Sequence, residues 1–174
     1  RVAQELGGKS ANIVFADSDL EAAVTRGVLH CYGNTGQSCN APTRMLVEQS
    51  VYDDAVVIAA RVAKAAQLGD PKEKGPHYGP VVSKAHYDKI QGLIQVGIDE
   101  GAQLVAGGTG RADGFDRGYY VKPTVFAGVH NKMRIAQEEV FGPVLVLIPF
   151  KDEADAIAIA NDSPYGLYAY VQTG

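Results

Sequence analysis

The order of the hydrophobic patterns constrains this chain most. Short apolar runs of strand length alternate with stretches of helical period, joined by brief polar or glycine-rich connections. Ala11–Ala16 is a candidate buried strand, and Asp17, Ser18 and Asp19 offer N-caps for a helix over 20–32. The loop Gly33–Pro42, rich in Gly, Asn, Ser and Pro, ends that helix, and Arg44–Glu48 follows as a strand. The spacing then predicts a helix over 51–67 closed by Gly69-Asp70-Pro71, and a second over 84–100 with Gly101 at its carboxyl end. Strands are expected over 103–106, over 119–126 with Pro123 at an edge or irregularity, over 145–150 and over 168–172, with a helix over 153–160. Such alternation predicts an α/β fold, a largely parallel twisted sheet flanked by helices on both faces.

At 174 residues the chain is long enough to bury a core, and one domain is the natural count. A net charge of −4 with no Lys/Arg stripe argues against nucleic acid or an anionic membrane as partner. No apolar run approaches the ~20 residues of a membrane helix. Arg1-Val2-Ala3-Gln4-Glu5 has neither a signal-peptide pattern nor an initiator Met, and Thr173-Gly174 closes the chain directly after a strand. These ends predict a single domain of a larger protein. Two cysteines are too few for a disulfide framework, so a reducing, cytoplasmic compartment is expected. His30, His77, His86 and His130 lack the paired spacing of a zinc site; no metal is expected, and they read as surface or packing residues.

Cys39 stands in Gly36-Gln37-Ser38-Cys39-Asn40, a loop at a strand end. Gly33, Gly36 and Ser38 would permit close approach of a substrate, and loop amides could stabilise an oxyanion. A buried structural cysteine is the other reading, and it is the better one for Cys31 on its helix. Glu5, before Leu6-Gly7-Gly8-Lys9, is either a general base held in a cleft or a solvated carboxylate. Glu138 and Glu139 taken alone resemble a charge pair on a solvated helix end. The stretch Gly107–Gly114 matches neither the dinucleotide nor the Walker spacing, and reads as a plain loop.

Taken together, these segments resemble the aldehyde dehydrogenase superfamily nearly end to end. Glu5-Leu6-Gly7-Gly8-Lys9-Ser10 resembles the glutamate motif, and Gly36-Gln37-Ser38-Cys39 the cysteine motif. Glu138-Glu139-Val140-Phe141-Gly142-Pro143 is similar to the segment that grips the nicotinamide ribose. Gly118-Tyr119-Tyr120 with Lys122-Pro123-Thr124-Val125, and Asn161–Leu167, resemble two further blocks in the family's order.

The resemblance implies that residues 1–174 form the cysteine-bearing catalytic domain, with the nucleotide-binding and oligomerisation segments outside this chain. It implies oxidation of a small-molecule aldehyde to a carboxylic acid, with NAD or NADP as cofactor. Cys39 would be the nucleophile, passing through a thiohemiacetal and a thioester, and Glu5 would activate the hydrolytic water. Glu139 would bind the nicotinamide ribose, Phe141 would pack near the ring, and Leu6 with Gly7 would lie near the carboxamide. The Cys39 amide would be one oxyanion donor, the second coming from an asparagine outside the chain. The whole enzyme would be a homodimer or homotetramer, and the isolated chain would fold yet be inactive. Gly33 departs from the family, standing where many members carry an aromatic. Alternatives are a CoA-acylating semialdehyde dehydrogenase, against which Glu5 argues, a cysteine hydrolase using a base such as His30 or His86, and an inert binding or structural piece.

Overall fold

A strand buried on both faces must be apolar at nearly every position. Val144–Phe150 (β5) meets that demand, with only Pro149 partly exposed. In the computed structural model, which describes residues 1–174, β5 is the third strand of a six-stranded sheet. The sheet order is β3 (Gln103–Ala106), β4 (Thr124–Ala127), β5, β2 (Arg44–Glu48), β1 (Ala11–Val14) and β6 (Ala169–Gln172). All neighbours run parallel except β3, an antiparallel edge strand on β4 with a register shift between Leu104 and Ala106.

Side chains alternate across the sheet and divide the core in two. On one face Val144, Val146, Ile148 and Phe150 pack with Leu46, Ile13 and the apolar side of α3 (Lys84–Asp99), together with α4 (Arg134–Gln137) and α5 (Glu153–Asn161). On the other, Leu145 and Leu147 join Met45, Val47 and Val14 beneath α1 (Leu20–Tyr32) and α2 (Tyr52–Ala65). Each fully buried Leu, Ile or Phe contributes about 1.5–3 kcal/mol. Side-chain caps start three helices: Asp19 accepts from the Ala22 amide, Ser83 from that of His86 and Asp152 from that of Asp155.

The α/β expectation is met, and several element bounds move. The strand expected over 119–126 shrinks to Thr124–Ala127 because Pro123 has no amide to donate, and Tyr119 lies in a loop whose carbonyl accepts from Val81. The helix over 51–67 stops at Ala65, where Ala66 turns extended (φ −66°, ψ 123°) before the Gly-Asp-Pro stop is reached. The four-residue α4 lies too near one turn in length to show a helical period.

Arg44 opens β2 as one of the most deeply buried side chains. Its Nε donates to the Lys9 carbonyl at 2.8 Å, Nη1 to Asn131 Oδ1 and the Ile159 carbonyl, and Nη2 to the Ala160 carbonyl at 2.8 Å. The last-turn carbonyls of α5, which have no partner within the helix, are thereby satisfied.

Candidate active site

β5, β2 and β1 are consecutive in the sheet, so the segments leading into them lie side by side. Those segments are Glu138–Pro143, Gly33–Thr43 and Glu5–Ser10, which hold Cys39, Glu5, Leu6, Gly7, Glu139 and Phe141. The cysteine loop was expected at a strand end, and the structure makes it the amino end. Open α/β sheets more often place ligands at the carboxyl end.

Backbone proximity joins the three segments. A methyl group on Gly8 would fall 2.2 Å from the Cys39 carbonyl oxygen, so only glycine fits there. Gly36 has φ +72°, and a methyl group on it would lie 2.1 Å from the Gly142 carbonyl oxygen. The Gly8 amide donates to Glu139 Oε1 at 2.9 Å, and Gly7 lies beside Glu139 Oε2 and the Tyr165 ring.

Cys39 is exposed on this surface, and its amide donates to no acceptor within the chain. Around it, the Ala41 amide bonds the Ser38 carbonyl at 3.1 Å and the Tyr170 hydroxyl donates to the Asn40 carbonyl at 3.1 Å. Asn34 and Thr35 adopt φ of 50° and 57°, a conformation costing roughly 1–3 kcal/mol each. The strain is held from outside: the Thr35 hydroxyl donates to the Gly79 carbonyl, and Gln37 Oε1 accepts from the Val82 amide. A side chain added at Gly33 would meet nothing within 4 Å, so that side of the loop is open. Cys31 is fully buried, its Sγ 3.7 Å from the Val144 carbonyl, and burial pushes its thiol up to about 12.

Glu138 and Glu139 separate in role. Glu138 pairs with Arg134 at 2.6 Å on the α4 surface, as a helix-end carboxylate does. Glu139 departs from that expectation and turns to Gly8. Phe141 is half-buried with φ +58°. Glu5 and Leu6 are exposed, and no hydrogen bond ties Glu5 to the cysteine loop. The chain becomes buried only from Gly8 onward, which leaves Glu5 on the exposed stretch before it.

Beneath the site lies Lys9, 2 % exposed, with an Nζ that finds no hydrogen-bond partner. Burial, with Arg44 adding to it, lowers its pKa to about 7 against the opposing pull of Cys31, Glu139 and Glu138. Sequence reasoning missed this lysine, and missed His86 and Lys89, which reach residues 139–141 from α3. Their spacing on one helical face was the available signal, but a solvated surface shows the same spacing. No group of three or more His, Cys, Asp or Glu side chains is arranged to hold a metal ion, and no helix is long and apolar enough to cross a membrane.

Known proteins are similar to this chain in sequence and fold. The chain is 52 % identical over 174 residues to a 3-succinoylsemialdehyde-pyridine dehydrogenase of a Pseudomonas species, covering all of this chain and 36 % of that protein. Among solved structures, an aldehyde dehydrogenase from Bartonella henselae superposes with a TM-score of 0.95 at 61 % identity, over 97 % of this chain and 35 % of the other. A cysteine-to-alanine variant of aldehyde dehydrogenase C from Pseudomonas syringae, complexed with NAD+ and octanal, gives a TM-score of 0.97 at 47 % identity, over 100 % and 36 %. The chain thus spans about a third of the length of the proteins it matches. The sequence model of the aldehyde dehydrogenase family matches residues 1–174, and with these likenesses in fold and sequence the chain belongs to that family.

Proposed function

We propose that residues 1–174 are the cysteine-bearing catalytic domain of an enzyme that oxidises an aldehyde to a carboxylic acid. The nucleotide-binding and oligomerisation segments would lie elsewhere in the longer protein. The observation that carries this reading is the convergence of buried Gly8 and half-buried Glu139 on the loop that exposes Cys39.

The Cys39 thiolate attacks the aldehyde carbonyl carbon and forms a thiohemiacetal whose oxyanion meets the unpartnered Cys39 amide. A bound NAD or NADP would supply the hydride acceptor for that carbon, and Cys39 then holds the acyl group as a thioester. Glu5 then draws a proton from water, the hydroxide adds to the thioester, and the Cys39 thiolate departs as the acid is released. The residues fit the nicotinamide end of such a cofactor. Glu139 keeps Oε2 free of hydrogen bonds for a ribose hydroxyl while Oε1 is fixed by Gly8, and the half-buried Phe141 ring offers an apolar surface. Gly7 lies beside Glu139, and with the exposed Leu6 before it would serve the carboxamide. The exposed position of Glu5 means that its approach to Cys39 depends on parts of the enzyme outside these residues.

The semialdehyde and octanal named for the relatives support an aldehyde as substrate class. NAD+ in the P. syringae complex supports the cofactor. A cysteine hydrolase would need a histidine on Cys39, yet His30 faces Tyr170 and His86 faces Phe141. A cytoplasmic homodimer or homotetramer, and an inactive isolated chain, complete the proposal.

The test uses the full-length protein with Glu5→Gln. The amide keeps the shape and removes the base, so acylation and hydride transfer should persist while deacylation slows. A burst of reduced cofactor followed by a slow steady state is expected. Wild-type turnover without a burst would overturn the role of Glu5. A wild-type protein that hands the acyl group to CoA in preference to water would favour the acylating branch.

A further inference from the structure

Phe141 has the backbone that local chemistry explains least. A φ of +58° places a bulky aromatic in the left-handed region, where such a residue stays only if its surroundings hold it. The hold comes from α3. His86 Nε2 lies 2.6 Å from the Phe141 carbonyl oxygen, and the two rings meet edge to face at 5.8 Å and 66°. Three and four residues on, Lys89 Nζ donates to the Glu139 carbonyl at 3.0 Å and Ile90 packs beneath Gly142. Ser83, capping the first turn of α3 through the His86 amide, sets where this face begins.

A carbonyl oxygen only accepts, so His86 Nε2 must carry the proton in this contact. Both the Nε2–H tautomer and the imidazolium supply it. Lys89 bonds the Glu139 carbonyl instead, so His86 is the donor at the strained residue.

We propose that His86 is a positioning residue of the cofactor site: by donating from Nε2 to the Phe141 carbonyl, it keeps Phe141 in the left-handed conformation in which its ring serves the nicotinamide end. The inference rests on the aldehyde dehydrogenase reading above, because that reading assigns Phe141 to the cofactor.

The contact is first read without mutation. A 15N spectrum of the imidazole in the 174-residue chain should show a protonated Nε2 at a pH where the ring is neutral. The Nδ1–H tautomer there would overturn the proposal. His86→Gln, whose amide keeps a donor, and His86→Leu, which removes it, are then compared. Amide exchange at Val144, whose N–H bonds the Gly142 carbonyl at 2.7 Å, should quicken about tenfold or more in the Leu variant, as a local opening allows, and stay near wild type in the Gln variant. In the full-length protein the same pair should separate in KM for the cofactor, the Leu variant rising by about tenfold, with the KM for aldehyde unchanged. Equal behaviour of the two variants, or faster exchange with no change in cofactor KM, would overturn the role of His86 and leave the proposed activity standing. A wild-type full-length protein that binds neither NAD nor NADP would remove the activity reading, and this inference with it, whatever exchange shows.

Discussion

Glu139 and Gly8, 131 residues apart in sequence, are joined by a hydrogen bond of 2.9 Å from the Gly8 amide to Glu139 Oε1. The bond orients a half-buried carboxylate with a backbone donor, which moves less than a side chain. It also locks the segment before β1 to the segment before β5, across the cysteine loop that precedes β2 between them.

Gly8→Ala should therefore damage both stability and the cysteine loop. The added methyl, fixed rigidly to Cα, would fall 2.2 Å from the Cys39 backbone carbonyl oxygen, and neither side yields cheaply. Overpacking of this kind costs about 1–3 kcal/mol, readable as a lower denaturation midpoint with unchanged slope. Gly33→Ala is the control: nothing lies within 4 Å of its new methyl, so its midpoint should move by less than about 0.5 kcal/mol.

Cys39 should alkylate with iodoacetamide in the folded chain, and Cys31 only after denaturation. Cys39 is exposed, whereas Cys31 is sealed beneath α1 with its thiol pushed up to about 12. Peptide mapping of the adducts decides the matter, and early labelling of Cys31 would contradict the burial.

Lys9 should leave a mark on stability against pH. Its pKa falls from 10.5 unfolded to about 7 folded, chiefly through burial, so between those values the unfolded chain binds the extra proton. Stability from this group accordingly rises with pH from about 7, by up to ~1.4 kcal/mol per unit, and levels off near the unfolded value. Cys31 acts in the opposite sense above about 9, where its unfolded thiol ionises and its folded one does not, so the window for Lys9 alone is 7 to 9. Denaturant melts of Lys9→Met should show a stabilisation over wild type that is largest below pH 7 and shrinks across that window. A difference that does not vary with pH would mean that Lys9 stays charged in the fold.

Local patterns determined much of the fold. The Asp19 cap and the glycine after Tyr32 bound α1 within its own sequence, and β2 and β3 were legible as short apolar runs between turn residues. Motif order, which lives in sequence, also marked Cys39, Glu5 and Glu139 as candidates. Tertiary structure decided what depends on distant partners. The order β5-β2-β1 put three separate segments at the amino end of the sheet, and no local pattern encodes strand order. Adjacent carboxylates look alike in sequence, yet Glu138 has Arg134 one helical turn away while Glu139 finds an amide from the other end of the chain. Lys9, in a polar stretch, became one of the most buried side chains, with Cys31, Arg44 and Glu139 brought near it from separate segments. Glu5 shows the converse: the motif names it, but side-chain position comes from packing, and these 174 residues leave it exposed.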